Sequence, residues 1–94
     1  MNQVVNNQSA QRFELHADGV VATLGYAETS STIDLVHTKV PSALAGRGLG
    51  SALARTALNY ARDARKRVIP TCPFVRRYIA RHPEYAGIVE RAPK

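Results

Sequence analysis

Three glycines at alternate positions, Gly46, Gly48 and Gly50, have the spacing best suited to chemistry in this chain. They lie in Val40-Pro-Ser-Ala-Leu-Ala-Gly-Arg-Gly-Leu-Gly-Ser51, between a strand-like run and a helix-like one. Glycine lets the backbone approach a ligand closely and take a positive φ. The N–H groups at the start of the following helix then converge on one spot, where the helix dipole favours negative charge. Such a stretch is a cradle for a diphosphate, and Arg47 adds a full positive charge within it. A tight turn that needs small residues is the other reading of the same spacing. Two familiar nucleotide loops are excluded. A P-loop ends in Gly-Lys-Ser/Thr, whereas Gly50 is followed directly by Ser51. A dinucleotide fingerprint needs a third glycine or alanine where Ser51 stands, and an acid at the end of the next strand, where none lies.

Cys72 is the single cysteine, so no internal disulfide can form, and a reducing, cytoplasmic setting is expected. It precedes a helix that Pro73 opens, since proline suits the first helical turn. A thiolate at a helix N-terminus is stabilised, which lowers its pKa from about 8.5. A buried apolar filler is the other role open to a lone cysteine. No metal is expected.

These residues need elements to position them. Residues 12–17, RFELHA, alternate: Phe13, Leu15 and Ala17 take one face, Arg12, Glu14 and His16 a solvated one. Asp18-Gly19 then signals a type I′ hairpin. Residues 20–26 make the returning strand, with Gly25 marking a bulge. A loop at 27–31 leads to a third strand, 32–40, rich in β-branched residues and ended by Pro41. From Gly48 to about Lys66 the period becomes helical. Leu49, Leu53, Ala57, Tyr60 and Ala64 share one face, and Ser51, Arg55, Asn59, Arg62 and Lys66 form a polar stripe. Residues 67–71 read as a fourth strand, parallel to the third through a right-handed crossover. A second helix covers 73–81, buries Phe74 and Tyr78 with Val75 and Ile79, and stops at His82-Pro83. The fold class is α+β with a mixed sheet: an antiparallel meander, a β-α-β unit and a closing helix. Residues 1–10 read as a flexible tail, 11–90 as one domain and 91–94 as a loose end.

The chain has 94 residues, 45% hydrophobic and 21% charged, which suits one small globular domain. It has no apolar run of membrane-spanning length and no signal peptide pattern, so no membrane association is expected. The net charge of +6 divides into −3 for residues 1–38 and +9 for residues 39–94. A basic half calls for an anionic partner. Nucleic acid is disfavoured, because aromatics do not interleave with the bases and neither helix carries a DNA-reading spacing.

V-P-x-x-x-x-G-x-G-x-G between a strand and an amphipathic helix resembles the acyl-CoA loop of the GNAT superfamily of N-acetyltransferases. The likeness extends to a subgroup of small single-domain members. It runs through His37-Thr38-x-Val40-Pro41, Gly46-x-Gly48-x-Gly50, Pro70-Thr71-Cys72-Pro73-Phe74-Val75 and Tyr78-Ile79-x-x-His82-Pro83-Glu84-Tyr85. It covers nearly everything from residue 12 to residue 89. Two departures stand out. Ala45 occupies a position where the superfamily carries Gln or Arg, and the superfamily's first helices, which help to shape the acceptor pocket, are missing.

The resemblance implies a GNAT-like fold whose third and fourth strands open as a wedge around acetyl-CoA. Pantetheine would pair with backbone at Thr38, Lys39 and Val40, and the pyrophosphate would rest on Ala45, Gly46, Arg47, Gly48, Leu49, Gly50 and Ser51. Arg76, Arg77 and Arg81 could meet the 3′-phosphate, with a solvated helix face as the stronger reading. Cys72 would sit near the thioester, as a covalent carrier or as pocket lining. His37 would act as general base or as a structural histidine. His16 reads as solvated and His82 as a helix stop. The implied activity is acetyl transfer to an amine, by a monomer; the alternative is a non-catalytic CoA-binding sensor or interaction module.

Overall fold

A computed structural model describes residues 3–90. Five strands lie in the order β1-β2-β3-β4-β5: Val4–Asn7, Arg12–Ala17, Val20–Glu28, Thr32–Lys39 and Arg67–Ile69. The first four are antiparallel neighbours, and β5 is parallel to β4. Helix α1, Leu49–Asp63, makes the β4-to-β5 crossover, and α2, Pro73–Arg81, follows β5. This is the α+β mixed sheet of a GNAT-like fold.

Local chemistry sets the turns. Asp18 and Gly19 both take positive φ, 54° and 75°, as a type I′ hairpin requires. The β3–β4 register shifts between Gly25 and Tyr26, which face His37 and Leu35, so an irregularity does lie at Gly25, but the extra residue is Val36 of β4. Helix α1 stops three residues earlier than its periodicity suggests. Arg65 enters the left-handed region at φ 59°, and the N–H groups of Lys66 and Arg65 turn back to the carbonyls of Ala61 and Arg62. That pairing caps the last carbonyls of the helix. Pro70 lacks an N–H and follows directly on β5, which is therefore shorter than residues 67–71.

The sequence reading of residues 1–10 as a tail is corrected over the described part. Val4–Asn7 pair with β2, from Val4 opposite Leu15 to Asn7 opposite Arg12. Asparagine has low strand propensity, which hides this segment from a pattern reading. Here the asparagines are anchors: Tyr26 Oη donates to Asn6 Oδ1 at 2.7 Å, and Asn7 Nδ2 donates to Glu14 at 3.0 Å. Residues 1–2 and 91–94 lie outside the described residues, so the loose end read there lies outside them too.

The core forms between α1 and one face of the sheet. Phe13, Leu15, Leu24, Ile33 and Leu35 meet Leu49, Leu53, Ala54, Ala57, Leu58 and Ala61. The buried face of α1 is thus turned from the one read in the sequence: Tyr60 is half-buried and Ala64 exposed. Tyr60 lies at the edge because its hydroxyl donates to Glu28 at 2.6 Å. Val75 and Tyr78 of α2 close the core beside Cys72, whereas Phe74 is half-buried. Among the described residues no helix is long and apolar enough to cross a membrane.

Candidate functional site

Strands β4 and β5 pair over three residues only, ending at Asp34 opposite Ile69. One further tie follows, from the Cys72 N–H to the Leu35 carbonyl at 2.9 Å. The chain then enters α2, and β4 runs on to Lys39 without a strand on that side. The two elements splay, leaving a sheet edge with backbone groups to offer an extended ligand.

A cleft of about 380 Å³ opens at the splay. Thr38 and Val40 form one wall, Phe74 another, and Leu44 to Gly46 with Gly48 to Ser51 the rest. Gly46 and Gly48 take φ of 82° and 74°, so both need the freedom of glycine. Gly48 is the N-cap of α1, and the first helical bond runs from Ala52 N–H to its carbonyl. The N–H groups of Leu49, Gly50 and Ser51 come before that bond, so they are the orphan donors of the helix start. No acid stands in this first turn to compete for them. Gly50 serves packing: a Cβ there would lie 2.9 Å from Phe74 Cζ. The cleft thus joins the N–H donors of the helix start to an apolar lining that includes Val40, Leu44, Leu49 and Phe74.

Arg47 does not line the cleft. Its guanidinium donates to Asp18 on the β2–β3 hairpin at 2.6 Å, so the positive charge expected in the cradle is paired outside it. Arg76 is likewise engaged, donating to the carbonyls of Pro70 and Thr71. Arg77 and Arg81 are exposed on α2.

Cys72 is buried and caps α2, with Sγ 3.3 Å from Thr38 Oγ1. Burial pushes the thiol up, but the Thr38 hydroxyl and the N–H groups of Val75 and Phe74 outweigh it. The thiol pKa therefore lies below its ordinary value. Thr38 stands between Cys72 and the cleft, touching the one and lining the other. His37 is on the opposite face of β4 from Thr38, because successive strand residues alternate, and it is exposed, as is Lys39. The structure thus brings Cys72 and Thr38 together and does not bring His37 to them. Sequence reasoning missed the Thr38–Cys72 pair, whose partners are 34 positions apart. His16 is exposed and bonded to Glu14. His82 ends α2, its Nδ1 2.8 Å from the Tyr78 carbonyl.

The splayed strands, the glycine-capped helix and the cleft between them define an acyltransferase-type scaffold, and comparison with known families agrees. A family model described as "GCN5-related N-acetyl-transferase" matches residues 12–88, so the chain belongs to that family. Among curated relatives, a chicken protein named "Protein NATD1" is 31% identical over 84 residues, covering 86% of this chain and 76% of the relative. Proteins of the same name from Xenopus tropicalis and human are each 35% identical, over 52 and 51 residues. These matches cover 55% and 54% of this chain, and the chain spans only 48% and 45% of those relatives.

Proposed function

We propose that this chain binds acetyl-CoA in the cleft and transfers its acetyl group to an amine. The observation that carries the reading is the splay of β4 from β5 directly beside a helix start with three orphan N–H donors. The diphosphate would rest on residues 45–51, and the pantetheine arm would pair with the open edge of β4 around Thr38 to Val40. The amine nitrogen attacks the thioester carbonyl, a C–N bond forms and the C–S bond breaks. The amine proton passes to His37 or to water, and CoA leaves as the thiol. His37, exposed on the helix-free face, would serve an amine arriving from that side. Cys72 stands behind Thr38 and is buried, which favours direct attack over a Cys72 thioester.

Among the described residues no titratable side chain lines the cleft. That observation favours a second reading, a CoA-binding sensor or interaction module without catalysis. Incubation with acetyl-CoA and a panel of amines, followed by mass spectrometry of protein and small molecules, separates the readings. Direct transfer predicts an acetylated amine from both the wild type and Cys72→Ala. A hydroxylamine-labile gain of about 42 daltons on the wild-type protein alone would instead make Cys72 a covalent carrier. CoA binding with no product from any amine would support the sensor.

A further inference from the structure

The basic side chains of this protein are mostly arginine: ten arginines stand beside three lysines, Lys39, Lys66 and Lys94. A guanidinium stays charged and does not attack an acyl donor, whereas a lysine that gives up its proton is a nucleophile. Side-chain amines are therefore scarce, and the two among the described residues stand in opposite settings. Lys66 is withheld. It is half-buried, its Nζ lies 2.6 Å from the Glu28 carboxylate, and it also donates to the Thr29 carbonyl. Lys39 is exposed and has no ion-pair partner among the described residues.

Lys39 also stands beside the cleft. It ends β4, and its two chain neighbours, Thr38 and Val40, both line the cleft. Strand residues alternate, so Lys39 leaves on the helix-free face, and His37 leaves on that face two positions earlier. The register is regular there, with His37 opposite Gly25 and Lys39 opposite Thr23. Strand β3 thus puts only a glycine and a threonine beside the pair, and both His37 and Lys39 are exposed. An amine and an imidazole share the face from which the free edge of β4 is reached.

We propose that Lys39 is an acetylation site of the chain itself, with acetyl-CoA in the cleft of the same chain as donor and His37 as proton acceptor. The proposal rests on the reading that acetyl-CoA occupies the cleft. His37 takes a proton from the Lys39 ammonium and passes it to water. The free Nζ attacks the thioester carbonyl, a C–N bond forms and the C–S bond breaks. The proton shed by the new amide leaves with the sulfur, as the CoA thiol. Strand β4 holds donor and acceptor together, so the step is unimolecular and gains from proximity. It ends after one acetyl group, because the product is a neutral amide.

A time course of the wild type with acetyl-CoA tests this, read by intact mass after hydroxylamine and by peptide mapping, beside the same chain unfolded in urea. One hydroxylamine-stable gain of about 42 daltons is expected, mapped to Lys39. Its rate should exceed that of Lys39 in the unfolded chain by at least about tenfold, and the rate per chain should not change on about tenfold dilution. Excess CoA, competing for the cleft, should slow it. Lys39→Arg keeps the charge and should take up no stable acetyl group over the same time. Acetylation of Lys39 no faster than in the unfolded chain, a stable gain at equal rate in Lys39→Arg, or a rate that falls with dilution would overturn the assignment. Calorimetry on the same sample keeps the two readings apart. Acetyl-CoA bound with Lys39 unmodified sinks this one alone, and no binding sinks both.

Discussion

Thr38 links the cleft to the one thiol of the chain. Its hydroxyl lies 3.3 Å from Cys72 Sγ and, with the N–H groups at the start of α2, holds the thiol below its ordinary pKa against the effect of burial. Thr38→Val keeps the shape and removes the hydroxyl. The thiol pKa should then rise, and the pH midpoint of Cys72 alkylation by a small reagent should move upward. An unchanged midpoint would mean that Thr38 does not tune the thiol. The sequence placed Cys72 at a helix start through Pro73, because that signal is local. It could not show the hydroxyl facing it, which β4 supplies from the far end of the crossover.

Strand β1 shows how a polar segment becomes an element. Glu14, read in the sequence as solvated, is buried under β1 and held by Arg12 at 2.6 Å, with His16 and Asn7 on the same carboxylate. The Arg12 bond, then those of His16 and Asn7, lower its pKa from 4.5 to about 2. A lowered folded-state pKa means that the unfolded chain takes up the proton first as pH falls. The contribution of Glu14 to stability is therefore complete above pH 4.5 and is lost as pH falls towards about 2. Urea midpoints across that window should drop more steeply for the wild type than for Glu14→Gln; parallel curves would show that the carboxylate contributes nothing specific. The hairpin at Asp18-Gly19, the irregularity at Gly25, both helices and the crossover were legible because each has a local turn residue or a period. Strand β1 was not, since Asn6 and Asn7 owe their order to Tyr26 and Glu14 across the sheet. The buried face of α1 was only partly legible. Alanines at positions 54 and 61 carry little hydrophobic signal, yet with Ala57 they let the helix sit close to the sheet.

Across the whole molecule, the acidic and basic halves of the sequence interlock. Asp18 pairs with Arg47 and Glu28 with Lys66, so acids of the first half neutralise bases of the second. What remains of the net charge of +6 includes Arg55, exposed in the second turn of α1 and without an ion-pair partner among the described residues. The glycine loop owes its donors to the helix start and to the positive φ of Gly46 and Gly48, with Arg47 paired elsewhere. Ser51 is the third residue of α1, exposed, and lines the cleft. A glutamate at that helix position is favourable to the helix itself. Ser51→Glu therefore puts a negative charge where the diphosphate should rest without threatening the fold. The measurement to make is calorimetric titration of acetyl-CoA into the wild type and Ser51→Glu, with thermal unfolding of both. Wild-type binding, weakened at least about tenfold in a variant of equal or higher melting temperature, is the expected result. Equal binding by a folded Ser51→Glu variant, or no binding by the wild type, would contradict the cleft as a CoA site.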